Sequence, residues 1–318
     1  MNLDKVKGYL AGVGFSSIFG FSFMFTKNAL ERVDPFRFIG FRFALAAFII
    51  GLLAATGVIR FSLRGKSLSP LLAVAFLQPV CYFTFETMGV NLTSSSQAGM
   101  MMALIPIFVA ILSALVLKER PSPAQVFFII LSVTGVIIIA AFQGANGGGT
   151  NSLGFLLLTG AVVSAALFNI ASRRFSAHYT PFEVTFVMMW VGALFFNAAA
   201  IILHLKSGTI RDFFAPLTDT TVLLSILYLG IGSSVIAFFL VNYSLSRLPA
   251  SQSAVFSNLT TVISILAGVV FRGEPFFWYH AAGALMILAG VWGTNHFGEL
   301  AEEKRKNPQK AGINYDKN

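Results

Sequence analysis

The sequence predicts an all-α membrane protein of ten transmembrane helices in two inverted five-helix repeats. Three observations predict it. The 318 residues are 56% hydrophobic and only 11% charged, whereas a soluble domain carries about 25% charged residues. Ten apolar runs have roughly the 20 residues needed to cross a bilayer. The two halves of the chain also match each other in register.

The runs are Tyr9–Thr26, Phe36–Ala55, Pro70–Val90, Ser96–Leu117, Ala124–Phe142, Leu153–Ala171, Phe182–Leu205, Thr221–Tyr243, Ser251–Phe271 and Phe276–Thr294. Charge, proline or glycine bounds each of them. Lys5 and Lys7 precede the first run as in a signal peptide, but the run is long and no Ala-x-Ala site follows it, so it reads as a retained helix. Residues after Gly298 end in a charged stretch, Glu302-Glu303-Lys304-Arg305-Lys306, which reads as a solvated, disordered tail.

Lysine and arginine fix the expected orientation. Fifteen of them fall on the N-terminal side of the helices, five on the opposite side, and Arg37 and Arg42 lie within the second helix. Both termini are therefore expected in the cytoplasm of a multi-pass cell-membrane protein. The net charge of +9 is spread over short clusters, so nucleic acid is excluded as a partner. The lone Cys81 permits no intrachain disulfide, and no Cys/His cluster offers a metal site. No motif calls for a cofactor: Gly12-Val13-Gly14 lacks the third glycine of a dinucleotide loop, and no phosphate-binding loop is present.

Internal repeats decide the architecture. A displacement of 155 residues lays Gln97 on Gln252, Leu104 on Leu259, Glu119 on Glu274 and Gly135 on Gly290. One of 146 residues lays Gly8 on Gly154, Lys27 on Arg173 and Pro35 on Pro181. The reading is a first repeat over 8–143, a linker over 144–152, a second repeat over 153–295 and a tail over 296–318. Five helices per copy is an odd number, so the second copy enters the membrane from the other side.

These features resemble the ten-helix, two-repeat EamA-type members of the drug/metabolite transporter superfamily. The residues that carry the likeness are Gly20 to Lys27, Pro35 with Arg42, Glu86-Thr87-Met88-Gly89, Leu104-Ile105-Pro106, Lys118-Glu119-Arg120 and Gly135, with Gly273-Glu274 and Gly290 in the second copy. The second copy departs at Thr261, which stands where Pro106 sits, and at Arg272-Gly273 in place of Leu117-Lys118.

Candidate functional residues follow from the cost of polarity in lipid. Glu86 is the only acid well inside a helix, and an intramembrane carboxylate needs a partner. Arg42 lies at a matching depth and is the expected one. The pair reads either as a structural ion pair or as a site that takes the carboxylate and amine of a zwitterionic solute, with Glu86 also a candidate carrier of a coupling proton. Tyr82, Gln97, Asn169, Asn242 and Asn258 are further candidates for the path, and Trp190 for its aromatic wall. Interhelical hydrogen bonding is the alternative use of each polar one. Pro106 is expected to kink the fourth helix, a gating feature without a counterpart in the second copy. Glu119 and Glu274 read as structural caps at the start of the following helices.

The resemblance implies a secondary transporter that exports a small organic solute, an amino acid or metabolite, by alternating access. A channel or uniporter and a drug efflux carrier are the alternatives. An enzyme is not expected, because no nucleophile and base, and no metal cluster, fall together in the sequence. The expected partners are a small-molecule solute and the lipid bilayer, with the protein a monomer or homodimer.

Overall fold

The computed structural model describes residues 3–57, 62–92, 101–143, 152–273 and 275–306, and these are helical, with no strand among them. Helix α1 is Leu3–Leu30 and α2 is Pro35–Ala55. Helix α3 consists of Ser69–Ala75, Phe76–Cys81 and Tyr82–Leu92. Helix α4 is Ile105–Leu112 continued by Ser113–Leu117, and α5 is Pro123–Gln143. The second half supplies α6, Ser152–Phe175, and α7, Pro181–Lys206. Helix α8 is Thr220–Leu227, Tyr228–Ala237 and Phe238–Arg247. Helix α9 is Ala250–Ala254 with Phe256–Arg272, and α10 is Trp278–Lys306. Eight of these are long and apolar enough to cross a membrane, and Ile105–Leu117 is a shorter apolar helix.

The packing obeys the repeat. Exchanging α1 to α5 with α6 to α10 turns each main contact into another: α1 with α8 becomes α6 with α3, and α1 with α9 becomes α6 with α4. The contacts α2 with α7, α4 with α9 and α5 with α10 map onto themselves. A bundle related in this way has a pseudo-two-fold axis running through those three pairs.

Local chemistry repeats as well. Asp34 and Thr180 cap α2 and α7, each accepting the backbone N–H three residues on, from Arg37 and Glu183, and each is followed by a proline that needs no N–H partner. The fourth and ninth helices both end in a left-handed residue, Lys118 at φ 58° and Gly273 at φ 64°. Glycine adopts that conformation freely, but a side chain there meets its own carbonyl at a cost of about 1 kcal/mol. The replacement of Lys118 by Gly273 in the second copy is therefore the relaxed form of one and the same turn.

The interior is built for close approach. Lipid supplies no hydrophobic drive between helices, so contact area has to come from packing. A Cβ at Gly135 would lie 2.6 Å from the Gly283 carbonyl, and one at Gly290 would lie 2.5 Å from Cβ of Ser132. Helices α5 and α10 thus meet backbone to backbone within one chain.

The ends are held differently. At the end bearing both termini, Tyr9 donates to Glu299 at 3.0 Å, Lys66 pairs with Glu183 at 2.8 Å and Arg247 pairs with Asp4 at 3.4 Å. At the other end Arg32 pairs with Asp219 at 2.6 Å, and Asp34 pairs with Arg37 at 2.8 Å and with His204 at 3.2 Å. The hydrogen bond from Arg32, with the backbone N–H of Val222 and Thr221, holds the Asp219 carboxyl below its ordinary value. A depressed carboxylate stabilises the fold above its unfolded value, and that contribution is lost as pH falls through the folded one.

Four expectations need correction. Helix α3 is not continuous: Gln78 is extended, at φ −149° and ψ 118°, because Pro79 has no N–H and disfavours helix in the residue before it. Helix α8 widens to π-helical turns over Tyr228–Ala237, around Gly230 and Gly232. In helix α9 a turn at Val255, whose backbone angles stay helical, separates Ala250–Ala254 from Phe256–Arg272. Of the tail expected to be disordered after Gly298, the residues up to Lys306 instead continue α10, with Glu299 held by Tyr9, and 307–318 lie outside the described residues.

Replacing Lys118 by glycine is expected to raise the stability of the detergent-solubilised protein by roughly 1 kcal/mol, because it removes the left-handed strain. A thermal unfolding midpoint that stays level or falls would contradict this account.

Candidate functional site

Two of the helix irregularities face each other across α2. The π-helical stretch of α8 approaches α2 because Gly230 has no side chain: a Cβ there would sit 3.2 Å from the Arg42 carbonyl and 2.8 Å from Leu45. The break in α3 lies against α7, where a Cβ on Gly192 would meet Pro79 at 2.8 Å and Phe43 at 2.9 Å. Both approaches depend on glycine at the contact. Between them lies Arg42.

Arg42 is 7% exposed, and its Nε donates to Oγ of Ser234 at 2.7 Å. Its guanidinium lies over two rings, 5.1 Å from the centroid of Phe83 on α3 and 5.5 Å from that of Phe43. Cation–π contact offsets part of the cost of a cation away from water. Phe43 in turn packs edge-on to Phe83 at 5.5 Å and stacks on Phe196 at 5.7 Å, which fixes the aromatic bed. Ser233, next to Ser234, is hydrogen-bonded to Ser22, and Tyr228 donates to the Ile18 carbonyl at 2.9 Å. Helix α1 thereby braces the wide turn of α8.

Tyr82 and Glu86 lie one helical turn apart on α3, after the break, and both are half-buried. The Tyr82 hydroxyl points at Sδ of Met102 at 3.8 Å, just before α4. Arg42, Tyr82 and Glu86 are close enough to interact electrostatically. No direct ion pair or hydrogen bond joins Arg42 to Glu86 among the described residues. Among the described residues the guanidinium is hydrogen-bonded at Nε alone. The Glu86 carboxylate has the Thr87 hydroxyl at 3.5 Å.

The other candidates fall elsewhere. Asn242 is 2% exposed and joins three helices: it accepts from Ser172 at 2.6 Å and donates to Thr185 at 3.0 Å, with Sδ of Met188 at 3.6 Å. Asn258 donates to Ser132 at 3.1 Å and links α9 to α5. Asn169 donates to the Ala165 carbonyl of its own helix at 2.8 Å. Trp190 is 42% exposed and packs on Gly51 and Phe186, on the side of α7 away from Gly192. Gln97 and Glu274 lie outside the described residues.

Pro106 is the second residue of Ile105–Leu112, and a turn at Ala103 and Leu104 separates this segment from helical Met101 and Met102. The chain turns at Ala103 and Leu104, and Leu104 accepts from Ile107 at 3.0 Å and Phe108 at 3.2 Å. Proline suits such a start, where its missing N–H has no partner to lose. Glu119 does not cap the helix that follows it. That start is closed by Ser122 and Gln125, whose backbone and side chains bond reciprocally at 2.9 and 3.3 Å. Glu119 instead reaches into the second repeat, accepting from Arg173 at 2.9 Å and from the Ala250 N–H at 3.0 Å.

Sequence reasoning passed over Ser234, Phe43, Phe83, Met102 and Pro79. Two signals were available: a proline inside the third apolar run, and Gly230-Ile231-Gly232-Ser233-Ser234 inside the eighth.

Comparison with known proteins bears on the family and the fold. The model of the EamA-like transporter family matches residues 6–141 and 152–295. YcxC, an uncharacterized transporter of Bacillus subtilis strain 168, is 37% identical over 96% of this chain and 97% of its own length. A probable amino-acid metabolite efflux pump of Escherichia coli K12 is 25% identical over 88% of this chain and 92% of its own. A solved crystal structure, 22% identical, superposes with a TM-score of 0.73 and covers 93% of this chain and 98% of that one, which shows the shared fold.

If Asn242 is a joint and not a ligand, Asn242→Ala should lower the thermal midpoint by the equivalent of about 1 to 2 kcal/mol while leaving the apparent KM for transport unchanged. A raised KM with intact stability would move Asn242 into the path.

Proposed function

The chain belongs to the EamA-like transporter family, and from that premise we propose that it is a secondary carrier exporting a small amphoteric organic solute, an amino acid or related metabolite, across the cell membrane. The observation that carries the reading is the state of Arg42. A buried guanidinium bonded only through Nε, bedded on two aromatic rings and lying near Tyr82 and Glu86, is a receptor for a carboxylate, since its planar fork binds one in two-point fashion. Glu86 then receives the solute's ammonium group or a coupling proton. The aromatic bed gives apolar side chains a surface to lie on.

Similarity to a probable amino-acid metabolite efflux pump supports this solute class. Lysine and arginine placement supports termini in the cytoplasm. Alternating access suits a fold whose main helix contacts are exchanged between its two halves.

The test is counterflow in proteoliposomes with radiolabelled amino acids and their short-chain relatives. Wild-type protein should show saturable exchange. Arg42→Gln should lower kcat/KM at least roughly tenfold, the effect of losing one charge-assisted hydrogen bond in a buried site. Glu86→Gln should flatten the dependence of transport on pH. Unchanged saturation curves in a folded Arg42→Gln protein would end the proposal.

A further inference from the structure

A second polar site lies at the end of the bundle that carries the termini, well apart in sequence from the residues around Arg42. A cavity of about 390 Å³ opens there, lined by Leu117, Glu119, Arg173, Ser176, Ala177 and Ser246. Its lining carries one charge of each sign and two hydroxyl groups.

The charged pair is also the bond that closes this end. Glu119, from the link between α4 and α5, uses one oxygen for Nε of Arg173 on α6 at 2.9 Å and the other for the N–H of Ala250, where α9 begins, at 3.0 Å. Arg173 donates further to the carbonyls of Leu245 at 3.1 Å and Ser246 at 3.4 Å, at the end of α8. One carboxylate and one guanidinium thus tie four helices from both repeats. The two side chains keep 24% and 25% of their exposure, so water or a charged solute can compete for each partner.

We propose that the Glu119–Arg173 pair, together with the Ala250 amide, is the latch that shuts the termini-side entrance of the solute path, and that the cavity beside it is the entry station for amphoteric small molecules. It rests on the carrier reading above. The carboxylate of an entering solute takes over the guanidinium that Glu119 holds, and its ammonium group is matched by the carboxylate so released. Breaking the pair frees the end of α4 from α6, while Arg173 keeps its bonds to the end of α8. The two repeats then come apart at this end without losing any of the close α5–α10 packing.

The test reads opening directly and needs no solute. In a Cys81→Ser background, Met102→Cys places a reporter opposite Tyr82 in the interior, and a membrane-impermeant maleimide is applied from the side bearing a terminal tag, then from the other side. Glu119→Gln keeps an acceptor for the Ala250 amide and removes only the charge; Arg173→Gln removes the partner. Each should speed labelling from the tagged side roughly tenfold, the equivalent of one charge-assisted bond, and should leave labelling from the other side no faster. Equal rates in wild type and both variants, in protein that elutes as a single species, would overturn the latch. Acceleration from both sides alike would overturn it too, by showing general loosening. Transport loss in Arg42→Gln is a separate result, so failure of the latch and failure of the solute site are told apart.

Discussion

Every backbone N–H and C=O in the hydrocarbon must find a partner inside the protein, and the rest of this structure depends on that constraint. A regular helix meets it silently and offers a solute nothing. The chain departs from regular helix at Gln78, at Ala103–Leu104, over Tyr228–Ala237 and at Val255. These departures are paired by the repeat, α3 with α8 and α4 with α9. The first pair brings the wide turn of α8 and the aromatic face of α3 to Arg42. Irregular backbone at this depth is tolerated where protein surrounds it, and here Gly230 and Gly192 let neighbouring helices close over it.

Symmetry in the backbone does not extend to the chemistry. The repeat displacements place Arg42 on Met188 and Thr87 on Asn242. In the second copy this location is neutral and saturated, with Asn242, Ser172, Thr185 and Met188 bonded to one another. In the first copy it is charged, and its main cation is bonded through one nitrogen. Two equivalent places in an inverted repeat therefore hold a joint of neutral side chains in one copy and a buried cation in the other. A joint of neutral side chains is the lower-cost use of polarity in lipid; a buried charge held by a single bond is the costly one.

Much of this fold was legible in the sequence, and the parts that were not share a cause. Run length and charge spacing locate all ten helices, and Asp34-Pro35 and Thr180-Pro181 mark two of their starts through side-chain capping, which is a local interaction. The departures inside helices escaped because hydropathy averages over a window and ignores one proline or two glycines within it. Arg42 and Glu86 were found by their cost alone, but the bond Arg42 makes was not, since Ser234 lies 192 residues away and a serine in a membrane helix has no periodic signature. Asn242 and Trp190 mark the opposite limit. Depth along a helix can be read from spacing, whereas the face a residue presents depends on neighbours that only the folded chain supplies.

The distribution of bonds also sets which parts can move. Near the bundle middle, α5 and α10 touch through Gly135, Gly283 and Gly290 with no space for a methyl group, and separating them would forfeit dispersion contacts that neither water nor lipid restores at that distance. At the ends, the fastenings include partly exposed charges: Arg32 with Asp219 and Arg173 with Glu119. Exposed pairs contribute about 0 to 1 kcal/mol each, because water replaces them nearly as well. A bundle that is dry and close-packed across its α5–α10 seam and held at its ends by replaceable bonds has its lowest-energy motions at the ends. Opening one end while the other stays closed then costs a few bonds of this kind, and a few kcal/mol is the range in which a solute's differential binding can shift the population.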